Sequence, residues 1–168
     1  LGEGTTFFLD LTSDTAPSAC PETEPAAEVQ EPSNSTLSGR HVLLCEDHPL
    51  NQEIAKALLA QKQIIVTAAD DGKDGVERFR DSTPDFYDAI LMDIRMPVMD
   101  GYEAAREIRT MERTDAKTVP IIAMTADAFS DDVHKCLEAG MNAHVAKPIE
   151  PDILYSVLEQ MIKGKTAD

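Results

Sequence analysis

Apolar and polar residues alternate in blocks from residue 40 onward, where a short apolar run is followed by an amphipathic stretch five times over. Isoleucine, valine and leucine dominate most of the runs, without the strict alternation of a strand that has one face in water. Such runs are typical of strands covered on both faces. The five predicted strands cover residues 41–45, 64–68, 88–92, 120–124 and 143–146.

The stretches that follow these strands carry apolar residues at helical spacing. The last stretch is the clearest, with Leu154, Val157, Leu158 and Met161 at positions i, i+3, i+4 and i+7. Gly140 follows the fourth stretch, where a C-cap glycine is expected. Five βα units over about 125 residues predict an α/β fold, a doubly wound five-stranded parallel sheet with five helices on its two faces.

The first 39 residues have a different character. Residues 12–39 hold four of the ten prolines and almost no large apolar side chains, so we expect a disordered linker there. Residues 1–11 alternate like a turn leading into a strand, which indicates the end of an upstream domain. The main domain is expected at residues 40–163, followed by a short tail at 164–168.

Composition and charge narrow the function classes. The 168 residues are 42% hydrophobic and 27% charged, which is enough for a packed core. Fifteen basic residues against 31 acidic ones give a net charge of −16, which disfavours direct nucleic-acid binding. No apolar run of membrane-spanning length and no signal-peptide pattern is visible, so we expect no membrane segment in this stretch. Three widely spaced cysteines argue against a disulfide framework or a zinc site, and fit a reducing compartment.

Polar side chains follow four of the five predicted strands. Glu46 and Asp47 come after the first strand, Asp93 after the third, Thr125 after the fourth and Lys147 after the fifth. In open parallel sheets, ligands bind beyond the carboxyl ends of the strands, where the strand order reverses. A strand order of 2-1-3-4-5 would bring these five side chains together.

Three carboxylates gathered at one place repel one another. At about 4 Å and an effective dielectric near 20, each pair costs roughly 4 kcal/mol, so protons or a divalent cation must offset the repulsion. Carboxylate oxygens with room for water suit Mg²⁺ better than zinc. Acids, Mg²⁺, a lysine and a hydroxyl together predict a site for a phosphoryl group, in which a carboxylate can act as the nucleophile.

Four separated motifs in residues 40–163 resemble the response-regulator receiver domain. They are Leu43–Asp47 with Asn51, Leu91–Gly101, Met124–Ala126 and Lys147-Pro148. The resemblance implies that Asp93 accepts a phosphoryl group, that Thr125 is the switch hydroxyl and that Lys147 contacts the phosphoryl group. It also implies a cis peptide bond before Pro148. The implied Mg²⁺ ligands are Glu46, Asp47 (the more direct of the pair), Asp93 and the backbone carbonyl of Arg95.

The chain departs from the family pattern at two places. His144 stands three residues before the lysine, where the family has tyrosine or phenylalanine, so the aromatic part of the switch is expected to be altered. Lys62-Gln63 stands after the first helix, where the family has a glycine, which affects a turn and not the chemistry. The family's rate-tuning positions fall on Arg95 and Asp127, which could pair and partly cover the phosphoryl group.

The opening residues GEGTTFFLDL resemble the last glycine motif and final strand of a histidine-kinase ATP-binding domain. This second resemblance implies a hybrid sensor kinase that is cytoplasmic in this part, and it leaves open a membrane anchor elsewhere in the parent protein. The expected function is Mg²⁺-dependent phosphoryl transfer from a phosphohistidine to Asp93, which switches the surface of the fourth helix, fifth strand and fifth helix. Relay to a histidine phosphotransfer domain would follow. The fragment would catalyse its own phosphorylation, while the kinase activity belongs to the parent chain.

Two other functions stay open from the sequence. A phosphatase of the haloacid-dehalogenase type also forms an aspartyl phosphate, but it needs a second acid two residues on. Histidine and proline follow Asp47, and isoleucine and arginine follow Asp93, so that acid is missing in both places. A docking module that is never phosphorylated is the other alternative, and the complete set of acids and lysine argues against it.

Overall fold

The computed structural model describes residues 36–126 and 130–166. The predicted upstream remnant at 1–11, most of the predicted linker at 12–39 and the predicted role of Asp127 therefore lie outside the described residues. Within the described residues, five strands and five helices alternate as the sequence predicts.

All five strands are parallel, in the spatial order β2-β1-β3-β4-β5, which confirms the predicted fold and strand order. The strands are β1 (His41–Cys45), β2 (Ile65–Ala69), β3 (Ala89–Asp93), β4 (Ile121–Thr125) and β5 (Ala143–Ala146). The helices are α1 (Pro49–Gln61), α2 (Gly72–Asp81), α3 (Gly101–Thr110), α4 (Ser130–Glu138) and α5 (Pro151–Thr166), with a short 3₁₀ helix at Thr114–Lys117.

Strands β2, β3 and β4 each lie one residue further along the chain than predicted. The sheet pairing explains the difference at the two functional strands, because Asp93 pairs with Met124, and Thr125 pairs with Ala146. Asp93 and Thr125 are therefore the last residues of their strands and not the first residues of the following loops. Their backbones are held by the sheet, which fixes where their side chains begin.

The core has one apolar cluster on each face of the sheet, as expected for strands covered on both sides. Leu43 and Ile90 point to the face that includes Phe79 of α2 and Ile108 of α3. Leu44, Leu91 and their neighbours point to the other face, which α1 and α5 cover. Alternate residues of the central strands are thus buried in opposite layers, so these strands read as continuous apolar runs.

The turn after α1 adapts to the missing glycine. Gln63 takes a left-handed conformation with φ of 58°, a region in which glycine is normally favoured. Its carbonyl accepts a hydrogen bond from the Gly39 backbone N–H at 2.9 Å. Gly140 has φ of 87° two residues after the end of α4, which agrees with the predicted C-cap glycine.

The ordered structure extends beyond the predicted range of residues 40–163 at both ends. Residues 36–39 form a turn and Leu37 is fully buried in the core, so the ordered domain begins inside the predicted linker. A single apolar side chain after a polar stretch gave too weak a signal to show this. At the other end, α5 continues to Thr166, three residues into the predicted tail.

Contacts with one loop hold the two ends of the domain in place. Arg40 forms an ion pair with Asp88 at 3.0 Å. Lys165 donates to the Tyr87 carbonyl at 3.2 Å and pairs with Asp85 at the same distance. The loop at 85–88 thus fastens both the start of the domain and the last turn of α5.

Candidate functional site

The carboxyl ends of the central strands form one edge of a cleft of about 450 Å³. Asp93 ends β3, Thr125 ends β4, and Lys147 follows β5, and all three side chains line this cleft. The structure therefore brings together the residues that the sequence predicts to converge. The other lining residues are Asn51, Ile94, Arg95, Asp100, Tyr102, Ala126 and Asp132.

Three acids lie close together around Asp93, which lines the cleft. One carboxylate oxygen from each of Glu46, Asp47 and Asp93 lies within 4.8 Å of the others. Glu46 is 1% exposed and Asp93 is 6% exposed, whereas Asp47 is open to solvent. Two of the three negative charges are thus removed from water, which is costly unless they are neutralised.

Lys147 supplies one neutralising charge. Its ammonium lies 2.7 Å from Glu46 Oε2 and 2.8 Å from Asp93 Oδ2, and so bridges the two buried acids. Burial by itself would lower the pKa of Lys147, but the hydrogen bonds and charges of Asp93 and Glu46 outweigh it, and the pKa is raised. The lysine therefore stays protonated at neutral pH.

The pKa of the Asp93 carboxyl is raised above its ordinary value. Burial is the largest cause, and the nearby charge of Glu46 adds to it. Lys147 and the backbone N–H of Arg95, which donates to Asp93 Oδ1 at 3.3 Å, offset the rise only in part. One lysine is thus insufficient to compensate the acidic cluster.

Glu46 is held by donors on both of its oxygens. Asn51 Nδ2 donates to Oε1 at 3.0 Å, and the His48 backbone N–H donates to the same oxygen at 3.4 Å. Lys147 occupies Oε2. The sequence contains Asn51 within a motif but gives no role for it; its place in the first turn of α1, directly after the acid pair, is the one signal that could have suggested this contact.

Close packing of α3 against the backbone of Asp93 helps to position this residue. The backbone of Gly101 at the start of α3 lies so near the Asp93 carbonyl that a Cβ there would collide with it. Asp100 caps the same helix by accepting from the Glu103 backbone N–H at 2.8 Å. The Lys147-Pro148 peptide bond is cis, as the resemblance implies. His144 lies half-buried on β5, at the position where the family has tyrosine or phenylalanine.

The donor set fits Mg²⁺. Three carboxylates and one ammonium leave two negative charges at the site, which one divalent cation would neutralise. The ligands are hard oxygens, and exposed Asp47 leaves room for water, which Mg²⁺ retains in most protein sites. Glu46, Asp47 and Asp93 are the residues that could hold the ion.

Comparison with known proteins identifies the family. The response regulator receiver domain family matches residues 42–159, and this chain belongs to it. Hybrid signal transduction histidine kinase I of Dictyostelium discoideum is 40% identical over 134 residues, covering 79% of this chain and 8% of that protein. Probable histidine kinase 2 of Oryza sativa subsp. indica is 42% identical over 140 residues, covering 77% of this chain and 13% of that protein.

Solved structures agree with this assignment. The receiver domain of a sensor histidine kinase from Pseudomonas aeruginosa PAO1, with a magnesium ion coordinated in its active site cleft, is 44% identical with a TM-score of 0.68. The match covers 75% of this chain and 99% of that one. The co-crystal structure of Saccharomyces cerevisiae Ypd1, a histidine phosphotransfer signaling protein, with the receiver domain of Ssk1 matches at 28% identity and a TM-score of 0.68. That match covers 74% of this chain and 90% of the other.

The chain spans about a tenth of the length of the curated relatives it matches. Among the described residues, no helix is both long enough and apolar enough to cross a membrane. The chain is thus a receiver domain of two-component signalling, of the kind found in hybrid histidine kinases.

Proposed function

We propose that this receiver domain takes a phosphoryl group from a phosphohistidine onto Asp93 in a Mg²⁺-dependent reaction. The observation that carries the proposal is the position of Asp93, a buried carboxylate at the floor of an open cleft, beside two further acids and the bridging ammonium of Lys147. Relatives named as hybrid histidine kinases, and the magnesium ion in the similar Pseudomonas domain, support the same reaction here.

In the proposed step, a carboxylate oxygen of Asp93 attacks the phosphorus of the phosphohistidine. An O–P bond forms, the N–P bond breaks, and the departing imidazole keeps the electron pair of that bond and takes a proton from water. Lys147, already 2.8 Å from Asp93, donates to a phosphoryl oxygen as charge builds up on the group. Mg²⁺ held by the three acids would supply further neutralisation of the phosphoryl oxygens.

The aspartyl phosphate then acts as a switch. Thr125 lies at the end of the neighbouring strand and lines the same cleft, so its hydroxyl is placed to donate to the new phosphoryl group. A shift of Thr125 would change the packing around His144 and the surface of α4, β5 and α5. Phosphorylation in this scheme shifts the population between two conformations.

We infer that the chain is the cytoplasmic receiver part of a longer hybrid histidine kinase, and a membrane anchor elsewhere in that parent protein is compatible with this. The resemblance of residues 1–11 to the end of a kinase domain supports the inference. The donor is then the phosphohistidine of the kinase part. A histidine phosphotransfer domain is the expected acceptor in the relay. The similar co-crystal structure, in which Ypd1 is bound to the receiver domain of Ssk1, is in keeping with this.

Labelling with acetyl phosphate tests the acceptor directly. With Mg²⁺ present, the intact protein should gain one phosphoryl group on Asp93, read by mass spectrometry of the peptide, and Asp93→Asn should abolish it. Asp81→Asn, an exposed acid at the end of α2, is the matched control and should be labelled normally. Retained Mg²⁺-dependent labelling in the Asp93 variant would overturn the assignment.

A titration with Mg²⁺ and beryllofluoride separates the proposal from its alternative, the docking module. Beryllofluoride imitates a phosphoryl group on the carboxylate, so backbone NMR resonances around Asp93, Thr125 and His144 should shift. An unchanged spectrum would favour a domain that only docks. Steady turnover of small phosphate esters would instead favour a phosphatase.

A further inference from the structure

We propose that Asn51 is a positioning residue for the acidic site: it holds the Glu46 carboxylate in the orientation that places the Lys147 ammonium against Asp93. This inference rests on the proposed function, because it concerns the Mg²⁺ and phosphoryl site at Asp93. Asn51 belongs to α1 and lines the cleft, and its amide donates to Glu46.

The contacts form a chain from α1 to the nucleophile. Asn51 Nδ2 donates to Glu46 Oε1 at 3.0 Å, Glu46 Oε2 lies 2.7 Å from Lys147 Nζ, and Lys147 Nζ lies 2.8 Å from Asp93 Oδ2. The two contacts of Glu46 use its two different oxygens, so the orientation of the carboxylate set by Asn51 fixes the position of the Lys147 ammonium. Rotation of the Glu46 carboxylate would therefore move the ammonium that sits against Asp93.

The same helix turn fixes the backbone of Glu46 as well. Gln52 Nε2 donates to the Glu46 carbonyl at 3.2 Å and to Asp70 Oδ1 at 3.1 Å. Two consecutive side chains of α1 thus hold one acid: Asn51 donates to the side chain of Glu46, and Gln52 donates to its main-chain carbonyl. The His48 N–H adds a weaker contact to the carboxylate at 3.4 Å.

A neutral amide suits this position better than a charged side chain. Glu46 is 1% exposed, so a missing donor would leave a buried carboxylate oxygen poorly satisfied. A lysine at residue 51 would add a positive charge that competes with the metal, and a carboxylate would repel Glu46. The amide satisfies the oxygen and leaves the negative charge of the site unchanged.

The three acids therefore have different roles in the site. Glu46 has both oxygens engaged by the protein, and it serves to anchor Lys147. Asp47 is exposed and Asp93 faces the cleft, so these two are the acids open to direct contact with an incoming ion, whereas Glu46 would act on the ion through its charge or a bound water. Outer groups that orient the ligands of a metal typically change its affinity 10- to 100-fold when they are removed.

The test is Asn51→Ala in the full chain, with Mg²⁺ affinity measured by NMR titration. We expect the dissociation constant to rise by about 10-fold or more, and the carboxyl ¹³C resonance of Glu46 to shift in the metal-free protein. Asn51 is half-exposed on a helix and alanine favours helix, so the fold should be retained, which a urea denaturation curve checks. Glu53→Ala on the same helix turn is the control, because exposed Glu53 pairs only with Lys56 among the contacts of the described residues.

A double-mutant cycle with Glu46→Met, which removes the acceptor oxygens at similar side-chain length, gives the decisive comparison. If Asn51 acts through Glu46, its replacement by alanine should change the Mg²⁺ affinity much less in the Glu46→Met background. An equal loss in both backgrounds, or an unchanged affinity and Glu46 resonance in the single variant, would overturn this inference. Labelling of the unmutated protein with acetyl phosphate is run alongside: its failure would reject the proposed function, whereas labelled protein with a silent Asn51→Ala rejects only the role of Asn51.

Discussion

Replacing Asp93 by asparagine is expected to stabilise the metal-free protein. The substitution keeps the shape of the side chain and removes one charge from a site that holds three acids and one lysine. Lys147 keeps its ion pair with Glu46 at 2.7 Å, so no buried charge loses its last partner. The residue proposed to carry the chemistry is thus expected to oppose folding when no metal is bound.

The distances give the size of the effect. At an effective dielectric near 20, attraction to Lys147 at 2.8 Å contributes about 6 kcal/mol, and repulsion at no more than 4.8 Å costs at least about 3.5 kcal/mol for each of Glu46 and Asp47. Because these contributions nearly cancel, the desolvation of a side chain that is 6% exposed decides the sign. We expect a gain of about 1–2 kcal/mol for the variant, within the usual range of single substitutions.

Urea denaturation at neutral pH without metal measures this gain, and its pH dependence checks the cause. The pKa of Asp93 is raised in the folded state, so the native protein holds its proton to higher pH than the unfolded chain does. The penalty is therefore absent below the unfolded-state pKa of about 4 and complete above the raised one. The advantage of the variant should shrink as the pH falls toward 4.

Mg²⁺ supplies the second check. The ion should stabilise the unmutated protein more than the variant, because it binds the folded site that the variant lacks in part. Asp47→Asn is the companion variant, and because Asp47 is exposed, its gain without metal should be smaller. An Asp93→Asn protein that is less stable than the original at neutral pH, or whose advantage grows on acidification, would refute this electrostatic account.

Three further substitutions test other parts of the site. Lys147→Met should destabilise the metal-free protein by about 3–5 kcal/mol in urea denaturation, since two buried acids lose their counter-charge. Lys135→Met, at an exposed lysine, is the control. A Lys147→Met variant as stable as the unmutated protein would contradict the bridge. Gly101→Ala should lower stability by about 1–3 kcal/mol and weaken Mg²⁺ binding by pushing on the aspartate carbonyl, whereas Gly164→Ala, with open space around it in α5, should be neutral or slightly stabilising in thermal melts. Thr125→Val should keep acetyl-phosphate labelling but reduce the beryllofluoride-induced NMR shifts in β5, and a full response would exclude the hydroxyl from the switch.

The fold could be predicted from the sequence because each buried strand is a separate apolar run, and each run is followed by a helical pattern. Strand ends were predicted less well, since Asp93 and Thr125 are polar and yet take part in the sheet. Leu37 and the last turn of α5 were missed for a related reason. Their order depends on contacts with distant residues, such as Lys165 with Tyr87, and not on a local pattern.

The residues of the site could also be predicted, because parallel strands bring their carboxyl ends to one edge. The contacts among these residues could not be predicted from the sequence. Lys147 has a long flexible side chain, and only the packed structure shows that it bridges Glu46 and Asp93. The position of Asn51 on a helix likewise does not reveal which acid its amide contacts.

The loop at 85–88 has a consequence for how this domain can be combined with others. Arg40 at its start and Lys165 near its end both bind that loop, at the edge of the sheet away from the acids. The first and last described parts of the domain are therefore fastened to the same loop, on the opposite side of the sheet from the cleft. Such an arrangement allows the domain to be inserted into, or appended to, a larger polypeptide while its cleft stays accessible to other proteins.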